Sequence, residues 1–87
     1  KKSYEAKTTS VKLKHNLATA YFERAFALTD AAQYRSALGD FRKGLKLNPN
    51  NVEAKKMHDQ IIDIYNALGR ETPKEGQEPA PLVIKNN

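Results

Sequence analysis

The sequence has no cysteine and no tryptophan, one methionine, four glycines and four prolines among 87 residues. Without cysteine there is no disulfide scaffold, no zinc ribbon and no thiol nucleophile, and the chain suits either redox environment. With so little glycine there is no collagen-like repeat and no phosphate-cradling loop. No window reaches the roughly 18 consecutive apolar residues of a membrane span, and no apolar stretch with a cleavage site follows the basic start. A chain of 87 residues makes one domain at most, so a two-domain enzyme is excluded. It opens Lys1-Lys2-Ser3 without an initiator Met, as expected of a piece processed or excised from a longer protein.

What the chain does have is charge, unevenly placed. The formal net charge is +5, with ten Lys/Arg against four Asp/Glu in residues 1–47 and five against six in residues 48–87. A basic front half attracts acidic peptides, anionic lipid or nucleic acid alike, because long-range Coulomb steering selects a sign and not a partner.

The apolar period is helical. Residues 1–9, KKSYEAKTT, show no such period and read as a flexible N-terminal segment, with helix expected from Ser10 as N-cap. Leu13, Leu17, Tyr21, Ala25, Leu28 and Ala32 then recur at three- and four-residue steps, flanked by Ala18, Phe22 and Phe26, and mark one broad apolar face. Thr29-Asp30 followed by Gln33 reads as a capping box, which places a turn between residues 29 and 34. Tyr34, Ala37, Leu38, Phe41 and Leu45 predict a second helix ending at Leu47, since Asn48 precedes Pro49 and avoids the helical region. Asn50 and Glu53 form a second capping-box pair ahead of a third helix. Its core face is Met57, Ile61, Ile64, Tyr65 and Leu68, and Gly69 is its left-handed stop. The result is an all-α three-helix domain over residues 10–69. Residues 70–87, with Pro73, Pro79 and Pro81, are expected to form an extended or disordered tail. Its run Leu82-Val83-Ile84 is either a short sticky stretch or a segment that docks into a groove on this chain or a neighbour.

Two segments carry a family resemblance. Asn16-Leu17-Ala18-Thr19-Ala20-Tyr21-Phe22 resembles the first-helix signature of the tetratricopeptide repeat, a Leu, a small residue, then two aromatics. Tyr34 to Asn51 resembles its second helix and closing turn, with Ala37 as the small contact residue, Phe41 as the aromatic, Gly44 where Ala is usual, and Pro49 as the terminal proline. From Phe22 to Tyr34 is 12 positions where the family has five, which leaves seven extra residues around Glu23–Thr29, about two helical turns. A gapless alternative sets Tyr21, Ala25 and Leu28 as the signature positions. The resemblance covers residues 11–68, one repeat plus a capping helix, and implies an α-solenoid-type helical hairpin. It also implies a protein–protein interaction role, in which first helices line a groove for an extended peptide, a partner helix or another copy. The groove residues it implies are Lys12, His15, Asn16, Thr19 and Glu23 on the first helix, with Lys56 and Gln60 on the third. Lys12 and Asn16, at i and i+4, can reach one bound carboxylate.

About three repeats normally stack to make a stable array, so one repeat with a cap is expected to need help from further repeats or from a second copy. The extra turns make Phe26 and Leu28 the candidate self-association residues. The rival reading is a basic surface for nucleic acid or anionic lipid, built from Lys12, Lys14, Arg35, Arg42 and Lys46. It is disfavoured because most Tyr and Phe fall on core stripes, away from stacking positions. Catalysis, cofactor and metal binding are not expected. His15 and His58 sit on different helices with no second metal ligand or local carboxylate, and no serine has a paired base. Asp59 and Asp63 beside Lys55 and Lys56 read as a solvated salt-bridge face.

Overall fold

The computed structural model describes residues 2–82, with side chains from His15 onward. Three helices, α1 (Lys2–Asp30), α2 (Tyr34–Leu47) and α3 (Val52–Ala67), follow in order, and no strand occurs among the described residues. The all-α expectation holds. Residues 2–9 belong to α1, however, where a flexible segment and a cap at Ser10 were expected. No Gly or Pro interrupts the chain before residue 32, so nothing breaks the helix there.

Helix α2 is central. It packs antiparallel on the second half of α1, where Phe22 lies against Gly44, Arg24 pairs with Asp40, and Phe26 meets Phe41 edge-on at 5.1 Å between ring centroids. Its 14 residues span about 21 Å, roughly half of the about 43 Å of the 29-residue α1. The first half of α1 therefore extends past the hairpin, and the Cα radius of gyration of 15.0 Å exceeds the about 12 Å of a compact chain this long.

The core consists of Ala18, Phe22, Ala25, Leu28, Ala37, Leu38, Phe41, Ala54 and Ile61, with Phe26, Tyr34, Leu45, Leu47, Met57, Ile62 and Tyr65 packed around it. On α1 the buried stripe is Ala18-Phe22-Ala25-Leu28, rotated from the one expected, and Leu17 remains 49% exposed. On α3 only Ala54 and Ile61 are fully buried, while Ile64 and Leu68 are 47% and 64% exposed, because α3 packs mainly on α2 with a narrow stripe. Leu28 is wholly buried and Phe26 is locked against Phe41. Leu28 therefore serves the hairpin core, which corrects its assignment to self-association, and Phe26 packs half-buried at the edge of that core, because the turn follows closely enough to bring α2 over them.

The turn is three residues long and closes by a Schellman pattern. Gln33 N–H donates to Leu28 O at 2.8 Å and Ala32 N–H to Thr29 O at 3.0 Å, with Ala32 at φ 62°. The same pattern ends α3, where Arg70 N–H reaches Tyr65 O and Gly69 has φ 69°, as expected for that glycine. Helix α3 is capped by Asn51, whose Oδ1 accepts from Ala54 N–H at 3.0 Å, one residue later than the expected Asn50. Asn50 instead donates its own N–H to Asn48 Oδ1.

Beyond Gly69 the chain has no regular structure, yet it is not loose. It turns back and lies along α2, so that Ser36, Gly39 and Asp40 are buried as well as the apolar residues of that helix. Where an extended or disordered tail was expected, residues 70–82 form a docked strap with a turn at Lys74–Gln77. Val83 and Ile84 lie outside the described residues.

Candidate functional site

Two surfaces carry polar side chains that can meet a ligand. The first comprises the residues implied by the repeat resemblance. His15, Asn16, Thr19 and Glu23 are exposed on one face of α1, since steps of three and four residues return to the same side of a helix. Thr19 Oγ1 donates to His15 O at 3.0 Å, so its proton is already used within the helix. The side chain of Lys12, and with it the Lys12–Asn16 pairing, lies outside the described residues. Lys56 and Gln60 are exposed on α3. The hollow beside Lys56 is lined by Pro49, Asn50, Asn51, Val52, Lys55 and Asp59, all from the α2–α3 turn and the start of α3. Among the described residues α1 contributes nothing to that hollow, so Lys56 shares no cleft there with His15, Asn16, Thr19 or Glu23.

The second surface is the outer face of α2, from which the sequence analysis drew only Arg42 and Lys46, as part of a basic surface for polyanions. Gln33, Ser36, Gly39, Arg42 and Lys46 form a single stripe at steps of three and four. Each meets the strap, which runs antiparallel to the helix. Lys46 pairs with Glu75. Arg42 Nη1 donates to Pro73 O and to Glu78 Oε2, both at 2.7 Å. Ser36 Oγ donates to Pro79 O at 2.9 Å. The Gln33 amide grips the Leu82 backbone, its Oε1 accepting from Leu82 N–H at 2.8 Å and its Nε2 facing Leu82 O. The expected capping box is absent because Thr29 and Asp30 still belong to α1 and Gln33 is itself the N-cap of α2, where it makes no side-chain cap. At Gly39 the backbone of the helix is bare, and a β-carbon would fall 2.9 Å from Cβ of Glu78.

Dimensions fit the pairing after a turn at Lys74–Gln77, where Gln77 N–H donates to Lys74 O at 2.9 Å and Gly76 has φ 86°. From Gln33 to Arg42 the helix rises about 14 Å, and the four steps from Glu78 to Leu82 cover about 12 Å in polyproline geometry. Pro79 and Pro81 have no N–H that would need a partner, and their fixed φ reduces the freedom lost on docking. Burial alone would raise the Glu78 carboxyl, but hydrogen bonds from Arg42 and from the backbone N–H groups of Glu78 and Gly76 outweigh it and hold the carboxyl below its ordinary value. Two of the three basic residues of α2 proposed for polyanions, Arg42 and Lys46, are thus occupied by the chain's own carboxylates, while Arg35 is exposed. Glutamates three apart facing basic residues four apart were a signal available in the sequence, but charge spacing on two unconnected segments does not reveal that they meet.

Behind the strap lies the buried Asp40, whose carboxylate accepts from Arg24 Nε at 2.6 Å and Arg24 Nη2 at 2.8 Å. That hydrogen bond raises the guanidinium above its ordinary value against the opposing effect of burial. A narrow cleft of about 300 Å³ between strap and hairpin is lined by Arg24, Asp40, Lys43, Glu78 and Pro79, among others. His15 is exposed, and His58 Nδ1 lies 2.9 Å from Asp59 Oδ1, so His58 does have a neighbouring carboxylate, contrary to the expectation. Among the described residues no group of three or more His, Cys, Asp or Glu is placed to hold a metal ion, and no helix is long and apolar enough to cross a membrane.

No family model, no curated protein and no solved structure matches the chain.

Proposed function

We propose that the chain is a protein–protein interaction module of the tetratricopeptide type, in which a rigid helix pair presents side chains to a peptide or helix from another protein. The observation that carries this reading is the three-residue turn with Ala25, Leu28, Ala37 and Phe41 all fully buried across it. It favours the gapless register, with Tyr21, Ala25 and Leu28 as the signature positions. Small residues on both helices let the backbones approach, and the aromatics fill the remaining space. One face of α1 is spent on this packing. The other leaves His15, Asn16, Thr19 and Glu23 on a scaffold whose geometry does not depend on them, as a recognition surface requires.

The test is selection from a displayed peptide library by the intact chain, repeated with Asn16→Ala/Glu23→Ala and with Lys56→Ala/Gln60→Ala. Peptides that lose about tenfold or more in affinity for the α1 variant support the reading, and equal affinity for all three proteins retires it. Binding to single-stranded oligonucleotides or anionic vesicles that collapses between about 50 and 200 mM salt would assign the basic surface to polyanions instead.

A further inference from the structure

The segment Pro73–Leu82 is not merely laid over α2. It is held at four separate points by side chains of one helical stripe: Lys46 at Glu75, Arg42 at Pro73 and Glu78, Ser36 at Pro79, and Gln33 at Leu82. Three of these contacts are made to backbone atoms, and two are made to carboxylates. This is how a groove reads an extended peptide. Main-chain bonds supply affinity whatever the side chains are, and charged pairs set register and sign. Gly39 completes the groove, because the missing β-carbon is the space in which Cβ and Cγ of Glu78 sit.

We propose that the outer face of α2 from Gln33 to Lys46 is a docking groove for a proline-containing peptide that turns between two glutamates three residues apart and runs on from the second, and that the chain's own Pro73–Leu82 segment keeps it closed in cis. The groove is distinct from the α1 and α3 surfaces and does not rest on the reading given for them. A tail tethered by the few residues after Gly69 has an effective concentration in the millimolar range, so an outside peptide of the same chemistry competes only when the tail's grip is weakened or its own grip is stronger. The strap is therefore an intramolecular competitor that sets an affinity threshold for partners.

The experiment uses the intact chain and a fluorescent peptide of sequence PKEGQEPAPL, which copies residues 73–82. Glu78→Ala weakens the strap without altering the groove, and the peptide is expected to bind this variant about tenfold more tightly than the wild type, the scale of one charge-assisted hydrogen bond lost from the cis segment. Adding Gly39→Ala, which fills the slot, or Arg42→Ala, which removes the anchor, is expected to abolish the gain. So is replacing the peptide's second glutamate by alanine. Circular dichroism checks that each variant keeps its helices, and the Leu82 amide resonance reports docking directly, moving towards an unstructured position in Glu78→Ala and in both double variants. Equal affinity for wild type and Glu78→Ala overturns the proposal, as does a gain that survives Gly39→Ala. An oligonucleotide reproducing the peptide's pattern also overturns it, since the groove would then be reading charge without the peptide.

Discussion

The ring of Phe22 rests on the α-carbon of Gly44, so closely that a β-carbon on residue 44 would fall 2.4 Å from Phe22 Cε1 and 2.7 Å from Cδ1. Alanine at 44 gains up to about 1 kcal/mol in helix propensity, while overpacking a closed core costs about 1–3 kcal/mol. Phe22 is itself buried between the helices, so the ring has little room to withdraw. Gly44→Ala is expected to lose about 1–2 kcal/mol by urea denaturation, although glycine in mid-helix is ordinarily the worse choice. A gain in stability would show that the ring moves aside.

Asp40 has only 3% of its side chain exposed, and both of its oxygens accept from Arg24, which is half exposed. Removing the arginine leaves a buried carboxylate unpaired, whereas removing both partners leaves no charge to solvate. Arg24→Ala is expected to cost about 1–2 kcal/mol, with water at the exposed arginine limiting the loss. The double change Arg24→Ala/Asp40→Ala should cost less than the two single losses added together. Strict additivity in that cycle would mean the pair is not coupled.

Ala32 and Gly69 occupy the same position in the same kind of turn, at φ 62° and 69°. The left-handed conformation costs a residue with a β-carbon about 1–2 kcal/mol, partly offset by the larger entropy that glycine loses on folding. Ala32→Gly is accordingly expected to raise stability by about 0.5 kcal/mol. Gly69→Ala should lower it by a similar amount, and since a β-carbon there meets no described residue within 4 Å, the effect is the balance of backbone strain and chain entropy without a steric clash. Thermal melts of the two variants moving in the same direction would contradict this.

Glu78 titrates below its ordinary value of 4.5 because Arg42 and two backbone N–H groups prefer its charged form despite burial. A depressed carboxyl contributes stability that is fully present above the unfolded value and is lost as pH falls through the folded one. The strap is thus expected to be docked at neutral pH and to loosen on acidification, starting near pH 4.5 and continuing below it. Carbon-detected titration of the Glu78 carboxyl alongside the Leu82 amide shift checks this. A carboxyl midpoint at or above 4.5, or an amide that ignores pH, would contradict it.

Much of the helical layout was legible because it is local. Asn48 before Pro49 ends α2 where the backbone of a pre-proline residue must leave the helix, and Gly69 marks the end of α3 because it alone adopts the left-handed turn without strain. The end of α1 was less sharply marked, since Ala32 makes the same turn without the residue type that signals it. The apolar face of α1 was ambiguous for a periodic reason. Seven residues are close to two turns, so Ala18 and Ala25, or Tyr21 and Leu28, fall on nearly the same side of the helix, and either set fits the repeat signature.

The sequence by itself determined that the chain is helical, where α2 and α3 stop, and which residues of α2 are apolar enough to form its core, because these follow from propensities and spacings within a few residues. Only the tertiary structure decided the rest. Leu28 became an interior residue and Phe26 a half-buried one once α2 folded over them, Ile64 and Leu68 stayed largely exposed because no described residue covers their side of α3, and the tail became a strap because Gln33, Ser36, Arg42 and Lys46 met backbone groups and carboxylates some 30 to 50 residues away. Those meetings depend on where two distant segments lie in space, which no local period encodes.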